Sequence, residues 1–256
     1  MPINLHYDDY LAVITIDRRE SLNALSLSLL QELGLAIDEV ARSPARALAL
    51  VGAGNKAFCA GADVEGLLDR DFWAEREGIR LGQDTFAKLD RLRVPSIAVL
   101  HGYALGGGLE LAMSCTFRVA TTSGKFGLPE VRLGLLPGYG GTQRLPRLVG
   151  ESRALELIMT GRMIDAREAR EIGLVNDVVE DGDAVAIAKV FADRFVRHSQ
   201  CASLLARTAV QRALDLPLAE GLRMEADLIM QAFQTDDAHE GIRAFLGKRP
   251  AGFTDR

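Results

Sequence analysis

The chain has 256 residues, 48% apolar and 25% charged, which suits one large globular domain or a domain with an appendage. A net charge of −5 without any basic run offers nothing to a nucleic acid. Cys59, Cys115 and Cys201 are too scattered for a disulfide framework or a zinc site. No apolar run reaches the roughly 18 residues of a membrane helix, and no signal peptide is legible, so the expectation is a soluble, cytoplasmic protein.

LAVITI (11–16) is apolar and rich in β-branched residues and reads as a strand. Leu29, Leu30, Leu33, Ile37 and Val40 then fall on a helical period, with Ser26 or Ser28 as N-cap. RALALV (46–51) predicts a buried strand ending at Gly52. A polar, helix-like stretch covers about 67–92 and is broken at Val94-Pro95. SIAVLHG (96–102) predicts another strand, LELAMS a short helix and TFRVATT (116–122) a further strand. This alternation is α/β organisation.

Beyond about residue 150 the pattern becomes helical: ESRALELIM, DAREAREIGL, DAVAIAKVFADRFVRHS, ASLLARTAVQRAL and LAEGLRMEADLIMQAF. DAHEGIRAFLG comes last, capped by Asp236 or Asp237, and a short strand is expected around Leu174–Val179. Leu222, Leu228, Ile229, Met230 and Phe233 form a broad apolar surface. It either packs on its own domain or meets another subunit. No sequence repeat stands out.

VGAGNKA (51–57) has the G-x-G-x-x-A spacing of a dinucleotide site, with Asp71 about twenty residues on. The adjoining FCAGADVEG lacks the amphipathic period of the helix that such a motif should open, so the reading is set aside. There is no P-loop, G-x-S-x-G or H-E-x-x-H.

The chemistry concentrates at GYALGGGLELAMS (102–114). A helix starting near Gly107 offers free N–H groups and a positive dipole end to a carbonyl oxygen that gains negative charge. AGAD (60–63) offers a second stretch of bare backbone. Either segment taken alone reads first as a tight turn with close helix–strand packing. Glu110 falls in the first helical turn, where a negative charge is also favourable structurally. Glu130, in the apolar FGLPEVRLG, is either a solvated loop residue or a working carboxylate. Two carboxylates beside a polarised carbonyl make a general acid–base pair. PGYGG (137–141) comes next in the chain and is placed to seal the pocket.

Together these segments resemble the crotonase (enoyl-CoA hydratase/isomerase) superfamily, and specifically its enoyl-CoA hydratases. The resemblance rests on SLNALS (21–26), NKAFCAGAD (55–63), PSIAVLHGYALGGGLELAMSC (95–115), FGLPEVRLGLLPGYGGTQRLPRLVG (126–150), AREAREIGLVNDVV (166–179) and FLGKRPAGF (245–253). It implies an α/β fold: a spiral of repeated ββα units over 1–195 carrying the active site, with a helical trimerisation region over 196–256. It implies a homotrimer or a dimer of trimers and an acyl-CoA thioester substrate. It implies no metal, no redox cofactor, no nucleic acid and no membrane.

Carried over by position, the resemblance makes the N–H groups of Ala62 and Gly107 an oxyanion hole and Glu110 and Glu130 the catalytic carboxylates. Ala60, Asp63, Lys56, Gly106 and Gly138 become substrate-binding positions, with the Ala60 carbonyl toward adenine and Gly138 near the reacting water. Phe245 and Lys248 become C-terminal CoA contacts. Two intact glutamates favour hydration, with Glu110 activating water and Glu130 protonating Cα. The alternatives are an enoyl-CoA isomerase or other acyl-CoA lyase, and a non-catalytic CoA- or RNA-binding member. Glu20 and Glu65 replace lysines of better-known hydratases, leaving CoA phosphates to Lys56 and arginines such as Arg18. Leu128 replaces a glutamine, Tyr139 is a candidate to shape the acyl pocket, and Phe72, Trp73 and Phe86 read first as core.

Overall fold

The computed structural model describes residues 2–68 and 70–255; for Glu65 and Leu67 only the main chain is described, so the Glu65 side chain lies outside the described residues. Two compact units are present, Met1–Phe191 and Ala192–Arg256.

The first unit is built on two sheets. Strands β1 (Ile3–Asp8), β2 (Leu11–Ile16) and β3 (Ala47–Gly52) flank helix α1 (Leu27–Arg42) in sequence, and β4 (Ala57–Cys59) comes next. Then come α2 (Phe72–Arg91), β5 (Ser96–Leu100), β6 (Tyr103–Leu105), α3 (Gly107–Ser114), β7 (Phe117–Thr121) and β8 (Lys125–Gly127). Helices α4 (Gly141–Val149) and α5 (Glu151–Thr160) precede β9 (Ile164–Asp165), α6 (Ala166–Glu171), β10 (Asp177–Val179) and α7 (Ala184–Ala192).

The larger sheet runs β1-β2-β3-β5-β7-β10 and is parallel except for the β1–β2 hairpin. The smaller runs β4-β6-β8-β9, with only β8–β9 antiparallel. The pairs β3–β4, β5–β6 and β7–β8 each place a long strand in one sheet and a three-residue strand in the other, then pass to helix. These are successive ββα turns of a spiral, repeated in structure although the sequence shows no repeat.

The α1 register is as its period predicts. Ser26 caps it by accepting from the Leu29 N–H, and Leu29, Leu30, Leu33, Ile37 and Val40 are buried. Strand β3 is buried at every position, as a central parallel strand should be. The dinucleotide-like VGAGNKA passes from β3 through bends into β4 and opens no helix.

Several local expectations change. The helix expected over 183–199 is regular only to Ala192. Phe86 is a core residue, but Phe72 and Trp73 at the start of α2 are 72% and 64% exposed. The cap of the last helix is Thr235, which accepts from the Ala238 N–H, rather than Asp236 or Asp237.

The second unit contains α8 (Gln200–Arg212), α9 (Leu218–Phe233) and α10 (Asp236–Leu246). Neither α8 nor α9 buries a residue, and Leu222, Ile229, Met230 and Phe233 are exposed. Of the apolar surface read from the sequence, these four residues are not consumed by packing within the helical unit, while Leu228 is half-buried. Buried Asp237 instead fastens the C-terminal segment, accepting from the N–H groups of Thr254 and Asp255.

Candidate active site

The three glycines before α3 answer three separate demands. Gly106, its N-cap, sits at φ 49° and ψ −127°, a backbone state that a side chain opposes. A Cβ on Gly108 would fall 2.1 Å from the Cys59 carbonyl oxygen, so α3 lies directly on β4. Gly107 stands between them, where a Cβ would be 3.4 Å from the Ala62 nitrogen and 3.1 Å from the Tyr139 ring.

Ala62 is aimed by a parallel bridge to Leu25. The Leu25 N–H donates to the Gly61 carbonyl and the Asp63 N–H donates to the Leu25 carbonyl. Main-chain alternation turns the Ala62 N–H to the other side, beside Gly107. The Gly107 N–H is a first-turn donor that no carbonyl of its own helix can accept. Two donors thus converge at the positive end of α3. Asn23, buried in the SLNALS segment, supports this arrangement. It takes a left-handed backbone at φ 59°, and its side-chain amide donates to the carbonyls of Ala53 and Ala57.

Both glutamates meet this helix end. Glu110, in the first turn of α3, is 1% exposed. Its Oε1 accepts from the N–H groups of Tyr139 at 2.8 Å and Gly141 at 2.6 Å. Glu130 enters on a 3-10 turn, Pro129–Leu133, closed by Gly134 in the left-handed region. A Cβ on Gly106 would stand 3.1 Å from Glu130 Oε1. Glu130 Oε2 is buried and has no hydrogen-bond partner among the described residues.

Burial pushes the Glu110 carboxyl up to about 7, and the Glu130 charge adds to the rise, while the Gly141 and Tyr139 amides and Arg144 pull it back. Burial also raises Glu130. Two neighbouring acids, both raised by burial, can exchange one proton between them, and they titrate as a pair.

The remaining sequence candidates of the first unit are dispersed around this centre. Gly138 adjoins it, its carbonyl accepting from Gln83 Nε2 at 2.8 Å. Ala60 donates its N–H to the Leu22 carbonyl, and Lys56 is exposed on the bend before β4. Asp63 and Arg18 are paired at 3.2 Å, and Arg18 also donates to the Ala24 carbonyl. Arg18 is thereby anchored by Asp63 and the Ala24 carbonyl while its side chain stays partly exposed. Leu128 is buried. Phe245 and Lys248 belong to the second unit, Phe245 being 83% exposed and Lys248 having φ 50°.

The sequence reading did not find the amides of Tyr139 and Gly141 as the partners of Glu110; the glycine-rich PGYGG was the available signal. It also missed the Asp90–Arg144 pair, whose two hydrogen bonds of 2.8 and 2.6 Å tie α4 to α2. No local pattern marks that pair.

The family description "Enoyl-CoA hydratase/isomerase" matches residues 7–256. A crotonyl-CoA hydratase of Syntrophomonas wolfei is 41% identical over 255 residues, covering 99% of this chain and 98% of that protein. A short-chain-enoyl-CoA hydratase of Clostridium acetobutylicum is 41% identical, covering 98% and 97%. The crystal structure of an enoyl-CoA hydratase from Bacillus anthracis superposes with a TM-score of 0.95 at 38% identity, covering all of both chains.

Proposed function

The chain belongs to the enoyl-CoA hydratase/isomerase family, and on that premise we propose that it adds water across the double bond of a short-chain 2-enoyl-CoA. The observation that carries the reading is the meeting of two carboxylates, Glu110 and Glu130, at the helix end where the N–H groups of Ala62 and Gly107 converge. It is the equipment that hydration needs and an isolated binding site does not.

The thioester oxygen accepts from Ala62 and Gly107, which stabilise the enolate as it forms. Glu110, held by two amides, takes a proton from water as the water oxygen bonds to Cβ. Glu130 delivers its proton to Cα as the enolate collapses. One proton then passes from Glu110 to Glu130 and restores the pair. Water adds without net oxidation or reduction, so the step needs no redox cofactor, and in this reading the two backbone N–H groups polarise the thioester carbonyl.

The names of the Syntrophomonas and Clostridium relatives support a short acyl chain. The exposed apolar residues of α9 support a homotrimer or dimer of trimers, in which Phe245 and Lys248 contact CoA. The buried thiols of Cys59 and Cys115, outside any disulfide, suit a reducing compartment such as the cytoplasm. Among the described residues no helix is long and apolar enough to cross a membrane.

The test is loss of ultraviolet enoyl absorbance when the protein meets crotonyl-CoA, with Glu130→Gln as control. Rapid loss that the variant lacks is the expected result. Migration of the double bond in a 3-enoyl-CoA, without hydration of crotonyl-CoA, would replace this reading by an isomerase.

A further inference from the structure

Tyr139 is placed in the site twice over. Its N–H orients Glu110, and its ring runs on from that point between two glycines. On one side a Cβ at Gly107 would meet ring carbons at 3.1 and 3.3 Å. On the other a Cβ at Gly82, in α2, would meet ring carbons at 2.4 Å. Phe86, one turn further along α2, meets the Tyr139 ring edge-to-face, with ring centroids 5.5 Å apart. Tyr139 is 8% exposed.

The position decides what the ring does. A thioester oxygen held by Gly107 sets its Cα and Cβ beside Glu110. On that placement, acyl carbons beyond Cβ run toward Tyr139, whose backbone N–H holds Glu110. The ring occupies the space between α3 and α2 that those carbons would otherwise fill. Only glycine at position 82 leaves room for it at this separation, because any Cβ there overlaps the ring.

We propose that Tyr139, seated on Gly82 and Phe86, is the residue that stops the acyl pocket and confines this site to short-chain acyl-CoA thioesters. The proposal deepens the hydratase reading and rests on it for the placement of the thioester oxygen.

Binding of saturated thioesters tests it without needing turnover. The dissociation constants of butyryl-CoA and octanoyl-CoA are measured calorimetrically on the full chain, wild type and Tyr139→Ala. Each buried methylene is worth roughly a fourfold change in binding. Opening the slot is therefore expected to shift the ratio of octanoyl to butyryl affinity by about tenfold or more toward octanoyl-CoA. A ratio within about twofold of wild type overturns the proposal. Should Tyr139→Ala not fold, Tyr139→Met carries the same comparison, since its flexible side chain fills the slot yet can be displaced.

A second measurement addresses the seat. Gly82→Ala should weaken butyryl-CoA binding when Tyr139 is present, because the ring is driven toward Gly107, and should have little effect in the Tyr139→Ala background. Equal effects in both backgrounds overturn the assignment of Gly82. Hydration of crotonyl-CoA is read separately. Absent turnover with the chain-length shift intact would remove the hydratase reading alone. Intact turnover with no shift would remove the Tyr139 assignment alone.

Discussion

Replacing Glu110 by glutamine should cripple the enzyme and, at alkaline pH, improve its stability relative to wild type. The side chain is 1% exposed and its Oε1 accepts two amide protons. A glutamine oxygen can accept the same two bonds, so the α3–α4 junction should persist. What disappears is the base. General-base catalysis typically contributes ~10²–10⁴-fold, and a loss in that range is expected in kcat on crotonyl-CoA.

Stability moves the other way because burial raises the Glu110 carboxyl from its ordinary 4.5 to about 7. The folded state then binds more protons than the unfolded chain between those values, so wild-type stability contributed by this group is complete below about 4.5 and is lost as pH rises through about 7. At about 1.36 kcal/mol per pH unit, the loss is on the order of 3 kcal/mol. Glutamine does not titrate. The stability difference, variant minus wild type, should therefore grow across that window by on the order of 3 kcal/mol and then level off. Urea unfolding at a series of pH values from 5 to 8.5, roughly the span over which the group titrates, measures it. A difference that stays flat would refute the argument that Glu110 is held up by burial. Undiminished turnover would refute its role as base.

Glu130→Gln should lose ~10²-fold or more in turnover while retaining acyl-CoA affinity, because it removes the proton for Cα and leaves the oxyanion donors in place; parallel turnover and calorimetric measurements separate the two. Wild-type kcat/KM should fall on the alkaline side as the raised Glu110–Glu130 pair loses its shared proton, and a pH–rate profile that stays level through pH 9, well above the ordinary carboxyl range, would count against the pair. Gly107→Pro should abolish activity by deleting one oxyanion donor, and hydration at near wild-type rate would place that contact elsewhere. Gly108→Ala should unfold the α3–β4 contact, since its Cβ would lie 2.1 Å from the Cys59 carbonyl oxygen; a thermal midpoint equal to wild type would show that the backbone can yield there.

What could be read from residues alone was whatever local order or motif spacing encodes. The α1 register came from a 3.6-residue period on one helix, with Ser26 capping it. Strands β2, β3, β5 and β7 came from short apolar runs, those of β3 and β5 ending at glycine, whereas β1 carries no such run. The two glutamates and the glycine segments could be named because each lies within one continuous motif. The short strands β4, β6, β8 and β9 have only two or three residues each, too few for any period to show. Helix α4 was not anticipated because Pro146 lies inside it and the glycine-rich PGYGG leads into its first residue.

Tertiary structure alone decided which groups meet. Glu110 finds its partners 29 and 31 residues away, at amides that carry no side-chain signal. Asp90 and Arg144 are paired across 54 residues, and Arg18 is taken by Asp63 across 45. Gly82 looks like a flaw in a helix until the ring of Tyr139 is found against it. Periodicity and propensity report how a segment sits on its own surroundings. The raised carboxyls, the approach of Ala62 to Gly107 and the seating of Tyr139 on Gly82 depend on burial and on distances between segments. Those exist only after the ββα turns have stacked.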